Sequence, residues 1–234
     1  MCTVVVEVPA EQSGPVRVLA VRDEDPARPW NRLGAWWPAH PGIVGVRDVR
    51  AGGAWLAADT GSGRLAVILN RADDLAEAPQ SRGRIVLDTV TGAAVPARPR
   101  TRGFNLVDVS PDRVRVTMWD GVRQRAVALD PGIHMVAHDD VDDTATPRIV
   151  RWRDEFAAAA AGRDGTWRDR WTAVLARSAR LPADDDRAII RDNHAHGYPT
   201  LSLLACAAEI SADRTDIAYA ELAHPGEWDD PPWQ

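Results

Sequence analysis

The 234-residue chain contains no lysine; all 28 of its basic residues are arginine. With Ala, Asp, Val and Pro abundant, this reads as a codon-composition bias and not as a functional choice. Positive charge is also in deficit, with 34 acidic residues leaving a formal net charge of −6. That excludes a sequence-independent nucleic-acid surface, which requires a basic face. Cysteine is scarce. Cys2 and Cys206 are too few for a disulfide framework and indicate a reducing compartment. Phe and Tyr occur twice each against ten Trp, so several indoles are expected in the core or along a pocket. No apolar run approaches the ~20 residues of a membrane helix. The start lacks a basic segment and a continuous apolar stretch, Val4-Val5-Val6 being interrupted by Glu7. A cytoplasmic protein without a membrane span is expected. Hydrophobic residues at 45% and charged residues at 26% are ordinary for a folded protein of one good-sized domain or two small ones.

The most informative residue is Cys2. An initiator methionine followed by a small residue is normally trimmed, which would leave Cys2 at the amino terminus. A terminal cysteine carries its own base, because the α-amino group titrates near ~7.7–8 and the thiol near ~8.5. The amine takes the thiol proton directly or through one water, as in N-terminal-threonine nucleophiles. The alternative is a small residue in a first strand. Residues 16–21 form a second apolar strand after a Gly-Pro turn at 11–15. A hairpin of these two strands returns Arg22-Asp23-Glu24 to the neighbourhood of Cys2.

Beyond the hairpin, 25–41 reads as a Pro/Trp-rich loop covering a site or packing the core rim. Segments 42–46, 54–58 and 65–70 read as short strands. The turn Asp59-Thr60-Gly61-Ser62-Gly63 lacks the Lys-Ser/Thr ending of a phosphate loop. A helix is expected around 84–90, then strands at 103–109, 113–119, 123–129 and 132–137. The segment 148–180 reads as helical, with Trp167, Trp171, Val174, Leu175 and Ala179 along one core-facing stripe. A short helical piece to Asn193 and a hairpin of 201–210 with 217–222 follow. Residues 1–224 are expected to form one layered α+β domain, with 225–234 a loose tail.

The order of motifs resembles the NRDE family, typified by the transport and Golgi organisation 2 protein. The matching residues are Met1-Cys2, Arg22-Asp23-Glu24, Arg28-Pro29, Gly52-Gly53-Ala54-Trp55-Leu56 and Gly63-Arg64-Leu65-Ala66 leading to Asn70. Arg82-Gly83, Gly103-Phe104-Asn105-Leu106 and Pro131-Gly132 continue the series, and Gly197-Tyr198 with Thr200 and Ser202 is a weaker match. The family is similar to N-terminal nucleophile (Ntn) hydrolases, especially the cholylglycine hydrolases. That resemblance implies a four-layer αββα sandwich and catalytic roles for three residues. Cys2 would be the nucleophile, Asp23 would orient its amine, and Asn70 would supply an oxyanion-hole amide. It further implies that Arg22 holds a polar or carboxylate group of the substrate and that Asn105 supports the site; His138, standing where the family has Asn, is a candidate substrate-binding residue able to donate one hydrogen bond. The chain departs from the family pattern at Val21 in place of Asn, at Ala137-His138 in place of Ser-Asn, and at Leu201 in place of Arg.

His134 and His138 precede four aspartates, yet no regular helix aligns them as metal ligands; a solvated acidic loop is expected, with no metal and no cofactor. His194 and His196 read as surface histidines, Cys206 as a buried free thiol, and no Gly-x-Ser-x-Gly elbow is present. Two functions stay open. One is a non-peptide C–N amidohydrolase acting on a small amide or acyl compound through a thioester. The other is a binding or trafficking protein for haem, a lipid or an acyl-coenzyme A-like ligand. The sequence leaves the oligomeric state open.

Overall fold

The computed structural model describes residues 2–11, 14–75, 77 and 80–234. The Val-rich start forms β1 (Thr3–Val8), which returns as β2 (Val16–Glu24). Their antiparallel register sets Thr3 opposite Val21 and Glu7 opposite Arg17. Seven strands follow in a meander: β3 (Trp30–Gly34), β4 (Ile43–Asp48), β5 (Ala54–Asp59), β6 (Arg64–Asn70), β7 (Phe104–Ser110), β8 (Arg113–Trp119) and β9 (Gln124–Ala128). The helix α1 (Gly83–Val90) interrupts them between β6 and β7. The chain then adds β10 (Gly132–Val136), α2 (Pro147–Ala161), α3 (Trp167–Ser178), β11 (Leu201–Ile210) and β12 (Thr215–Glu221).

These strands make two antiparallel sheets, a five-stranded one ordered β10-β1-β2-β11-β12 and a seven-stranded one ordered β3 through β9. Side chains alternate across a strand, and the five-stranded sheet uses both faces. Val4, Val6, Val18, Ala20, Leu204, Cys206 and Ala208 face the seven-stranded sheet in one core. Val5, Leu19, Val21, Met135, Ala205 and Ala207 pack with Trp152, Phe156 and Trp171 of α2 and α3 in a second. On the far side, α1 lies against β5, β6 and β7. The layers run α, β, β, α. The Val-rich, continuously apolar character of β1 and β2 follows from burial on both faces.

Four sequence expectations change. The segment 25–41 contains a strand, β3, paired to β4 through Trp30↔Asp48 and Asn31↔Arg47. The helical segment divides into α2 and α3, because Gly162 is extended and Gly165 has φ +64. A capping box, Thr166 with Asp169, restarts the helix. The helical piece expected to end at Asn193 is instead a run of turns followed by a 3-10 turn at His194–His196. The tail is docked: Gln234 and Tyr219 exchange two backbone hydrogen bonds, and Trp228 and Trp233 pack on the second core. Part of the expected 11–15 turn, and the removal of Met1, lie outside the described residues.

Candidate active site

Cys2 stands one residue before β1, next to the end of β2, where the hairpin register returns Asp23 to it. The Asp23 N–H donates to Cys2 Sγ at 3.4 Å, and the thiol in turn faces the Asp23 carbonyl at 3.6 Å. Both residues are buried, Cys2 being 7% exposed. Burial, reinforced by the Asp23 charge, pushes the Cys2 thiol above its ordinary value.

Alternation along β2 sends Arg22 and Asp23 to opposite sides. The Asp23 carboxylate accepts from Ser202 Oγ at 2.7 Å on Oδ1 and from Asn193 Nδ2 at 3.1 Å on Oδ2. Ser202 sits opposite Asp23 in the β2–β11 register, beside a register shift between Ser202 and Leu204. Irregularities of that kind re-aim side chains next to sites. Behind them lies Arg191, whose N–H donates to Ser202 Oγ at 2.9 Å and whose Nε donates to Asn193 Oδ1 at 3.1 Å. Arg191, Asn193 and Ser202 have no exposed surface. A second buried arginine, Arg148 of α2, donates to Thr3 Oγ1 at 3.2 Å. Burial and the neighbouring Arg191 charge bring its pKa down to about 10. Asp23 therefore sits in a buried polar network on the helix-facing side of the sheet.

Cys2, Arg22, Asp23 and Asn70 all line one cleft of about 570 Å³. Asn70 ends β6 and is exposed to the cleft. Arg22 is held at 3.1 Å by Glu24, its guanidinium carbon 5.5 Å from the centre of the Trp55 ring. Arg28 is paired with Asp48 at 2.6 Å across the mouth. The Ala51 N–H and Arg28 together hold the Asp48 carboxyl below its usual range in spite of its burial. The floor beside Asn70 comes from the start of α1. Gly53 and Gly83 meet backbone to backbone there, since a Cβ at Gly53 would fall 2.4 Å from the Gly83 carbonyl carbon. This close approach, which only glycine permits, aligns Arg82 and Gly83 on the cleft wall.

Two expected site residues stand elsewhere. Asn105, with no exposed surface, donates to the Ala137 carbonyl at 3.0 Å and the Asp139 carbonyl at 2.6 Å and accepts from Arg71 at 3.3 Å. Its amide is used up tying β7 to the segment after β10, and it does not line the cleft. His138 is also off the cleft, 3.2 Å from Asp139. Burial, followed by the Arg148 charge, lowers its pKa, so the neutral ring is favoured. His134 belongs to neither site. Its ring nitrogens meet Asp142 Oδ2 at 2.6 Å and the Asp130 carbonyl at 2.8 Å, making it a clamp for the turn after β10. No group of three or more potential metal ligands occurs among the described residues. Of the ten Trp, Trp55 alone lines this cleft among the described residues. Asn193 and Arg191 were missed from the sequence. They lie in an irregular segment with no spacing signal, and only the tertiary fold brings them to Asp23.

The αββα sandwich with a cysteine at the head of its first strand has the fold of a solved structure, the N-acylethanolamine-hydrolyzing acid amidase (NAAA) ortholog of Caenorhabditis elegans, which superposes with a TM-score of 0.54 at 10% identity, over 88% of this chain and 92% of that one. Residues 1–196 match the family described as Transport and Golgi organisation 2, and the chain belongs to that family. No curated protein sequence matches the chain significantly. No helix among the described residues is long and apolar enough to cross a membrane.

Proposed function

We propose that the protein is an N-terminal-cysteine hydrolase of a small amide or acyl compound, working through a thioester. The observation that carries this reading is the convergence of Cys2, Asp23 and Asn70 on one cleft. With Met1 removed, the Cys2 α-amine takes the thiol proton as Sγ adds to the substrate carbonyl. The Asn70 side-chain amide donates to the developing oxyanion. Collapse of the tetrahedral species expels the amine, protonated by the α-ammonium, and leaves an acyl thioester on Cys2. Water, deprotonated by the same amine, releases the acid and restores the thiol.

Asp23 positions the α-amine and stabilises its ammonium form. Its own orientation is held by Ser202 and Asn193. The solved neighbour is named for hydrolysis of N-acylethanolamines, which are amides, and this supports the reaction class without naming the substrate here. The charged lining of the cleft, with Arg22, Glu24, Arg28 and Asp48 beside Cys2, argues against a neutral lipid as its occupant.

The test is trapping. Full-length protein incubated with a panel of p-nitrophenyl esters and N-acyl amides should gain one acyl mass, located on the peptide that begins with Cys2. Cys2→Ala should gain none, and Asn70→Ala should acylate ~10²–10³-fold more slowly. Acylation that persists in Cys2→Ala would remove the proposal.

A further inference from the structure

The cleft has a charge sign that the chain as a whole lacks. Five arginines and three carboxylates line it, whereas the whole chain carries −6. Most of these arginines are accounted for: Arg22 is held by Glu24, Arg28 by Asp48, and Arg102 by Asp73 at 3.1 Å. Arg82 and Arg50 are different. Arg82 donates to the Gly103 carbonyl at 2.8 Å and has no carboxylate partner among the described residues. It is half-buried, and burial lowers its pKa against the opposing influence of the nearby Cys2, Glu24 and Asp73. Arg50 is exposed at the cleft wall and makes no ion pair among the described residues. Two further buried donors on the wall, Arg22 Nε and Trp55 Nε1, lack acceptors among the described residues. The wall is short of acceptors and rich in donors.

We infer that Arg82, assisted by Arg50, forms an oxyanion-binding subsite, so that the compound processed at Cys2 carries a carboxylate or a phosphate group besides its scissile bond. This names a substrate class and rests on the cleft being the substrate site. A half-buried guanidinium with no carboxylate in hydrogen-bond contact is well suited to bind an anion, because planar N–H pairs match carboxylate and phosphate oxygens. The Gly103 carbonyl fixes one Arg82 nitrogen and leaves the remaining donors to a ligand. A cationic cleft on an acidic protein also steers anions toward Cys2 selectively.

The test measures binding, independent of turnover. Glutarate, inorganic phosphate and neutral glutaramide are titrated calorimetrically at low ionic strength into the full chain, Arg82→Gln and Arg50→Gln. Glutarate or phosphate should bind the parent protein, and glutaramide should not. Arg82→Gln should weaken the bound anion about tenfold and Arg50→Gln about threefold, as expected for a unit charge removed from partly desolvated and exposed positions. Which anion binds more tightly identifies the carboxylate or the phosphate as the group recognised. If Arg82→Gln does not fold, Arg50→Gln decides alone, since its side chain is free of structural bonds among the described residues. Absence of anion binding, or equal affinity in every folded variant, overturns the inference. Cys2→Ala should keep the anion affinity. Failed acylation with intact anion binding would remove the hydrolase reading and leave the subsite, while the reverse would remove the subsite only.

Discussion

Ser202→Ala tests the network that holds Asp23. The hydroxyl donates to Asp23 Oδ1 at 2.7 Å and accepts from the Arg191 N–H at 2.9 Å, in a position with no exposed surface. A hydrogen bond to a charged group contributes ~1.5–3 kcal/mol, and an unsatisfied buried N–H costs ~1–3 kcal/mol. The two share one atom, so they do not simply add, and a loss of about 3 kcal/mol is expected. For a chain of this size that lowers Tm by roughly 6–12 °C. The assay is urea unfolding at pH 7 with thermal melts alongside. Ser211→Ala, at a half-buried position whose hydroxyl makes a solvent-exposed bond to Asp213 at 2.7 Å, serves as control and should stay within about 0.5 kcal/mol. With Asp23 loosened, Cys2 acylation should slow as well, while Ser211→Ala leaves it unchanged. A Ser202→Ala protein within about 0.5 kcal/mol of the parent would refute the claim that this hydroxyl satisfies two buried groups.

Gly53→Ala drives a methyl group into the Gly83 backbone at 2.4 Å. Overpacking of this kind costs ~1–3 kcal/mol, and the displaced start of α1 should weaken anion binding at Arg82; Gly61→Ala, whose Cβ would meet only Asp59 Oδ1 at 3.5 Å, should be mild on both counts. The His134–Asp142 pair gives a pH signature. Its hydrogen bond to Asp142 raises the His134 pKa, and the His134 and Met135 donors lower that of Asp142 despite burial. The histidine's contribution is complete below ~6.5 and lost as pH rises through its raised folded value; the carboxylate's is complete above ~3.9 and lost as pH falls through its lowered one. The stability gap between the parent and Asp142→Asn should therefore be widest between ~4 and ~6.5 and narrow on both sides. A gap that does not vary with pH would show that the pair is not ionic. Cys206, its thiol pushed up to about 12 by burial, should resist alkylation in the native protein at pH 8 and react only on unfolding.

The hairpin that brings Arg22-Asp23-Glu24 back to Cys2 was legible because two Val-rich runs flank one turn, and register then follows from length alone. The meander was legible where glycine turns punctuate it. The glycine motifs at 52–53 and 82–83 contributed to the family resemblance, although only the structure gives their physical reason, a backbone contact between residues thirty positions apart. Strand β3 was missed because proline and tryptophan crowd its flanks, and its pairing with β4 outweighs that local signal. The break between α2 and α3 was missed because the apolar period resumes in phase beyond Gly165. Arg22, expected to hold the substrate, pairs with Glu24, while Arg82 and Arg50 have no ion pair among the described residues. Such pairing depends on rotamers and neighbours far apart in the chain, which no spacing rule encodes. The network of Asn193, Ser202 and Arg191 was hidden for the same reason.

The proposed chemistry depends on Cys2 being a nucleophile activated by its own amine. The most direct measurement is intact and peptide mass after brief iodoacetamide exposure from pH 5 to 9, on the mature protein and on a form carrying an extra residue before Cys2. Mature protein should lack Met1, and Cys2 should alkylate well below pH 8 while Cys206 stays unmodified. The extended form should react only at higher pH, because burial then raises the thiol with no adjacent amine to deprotonate it. Retention of Met1 in the mature protein, or identical pH profiles for the two forms, would contradict that chemistry.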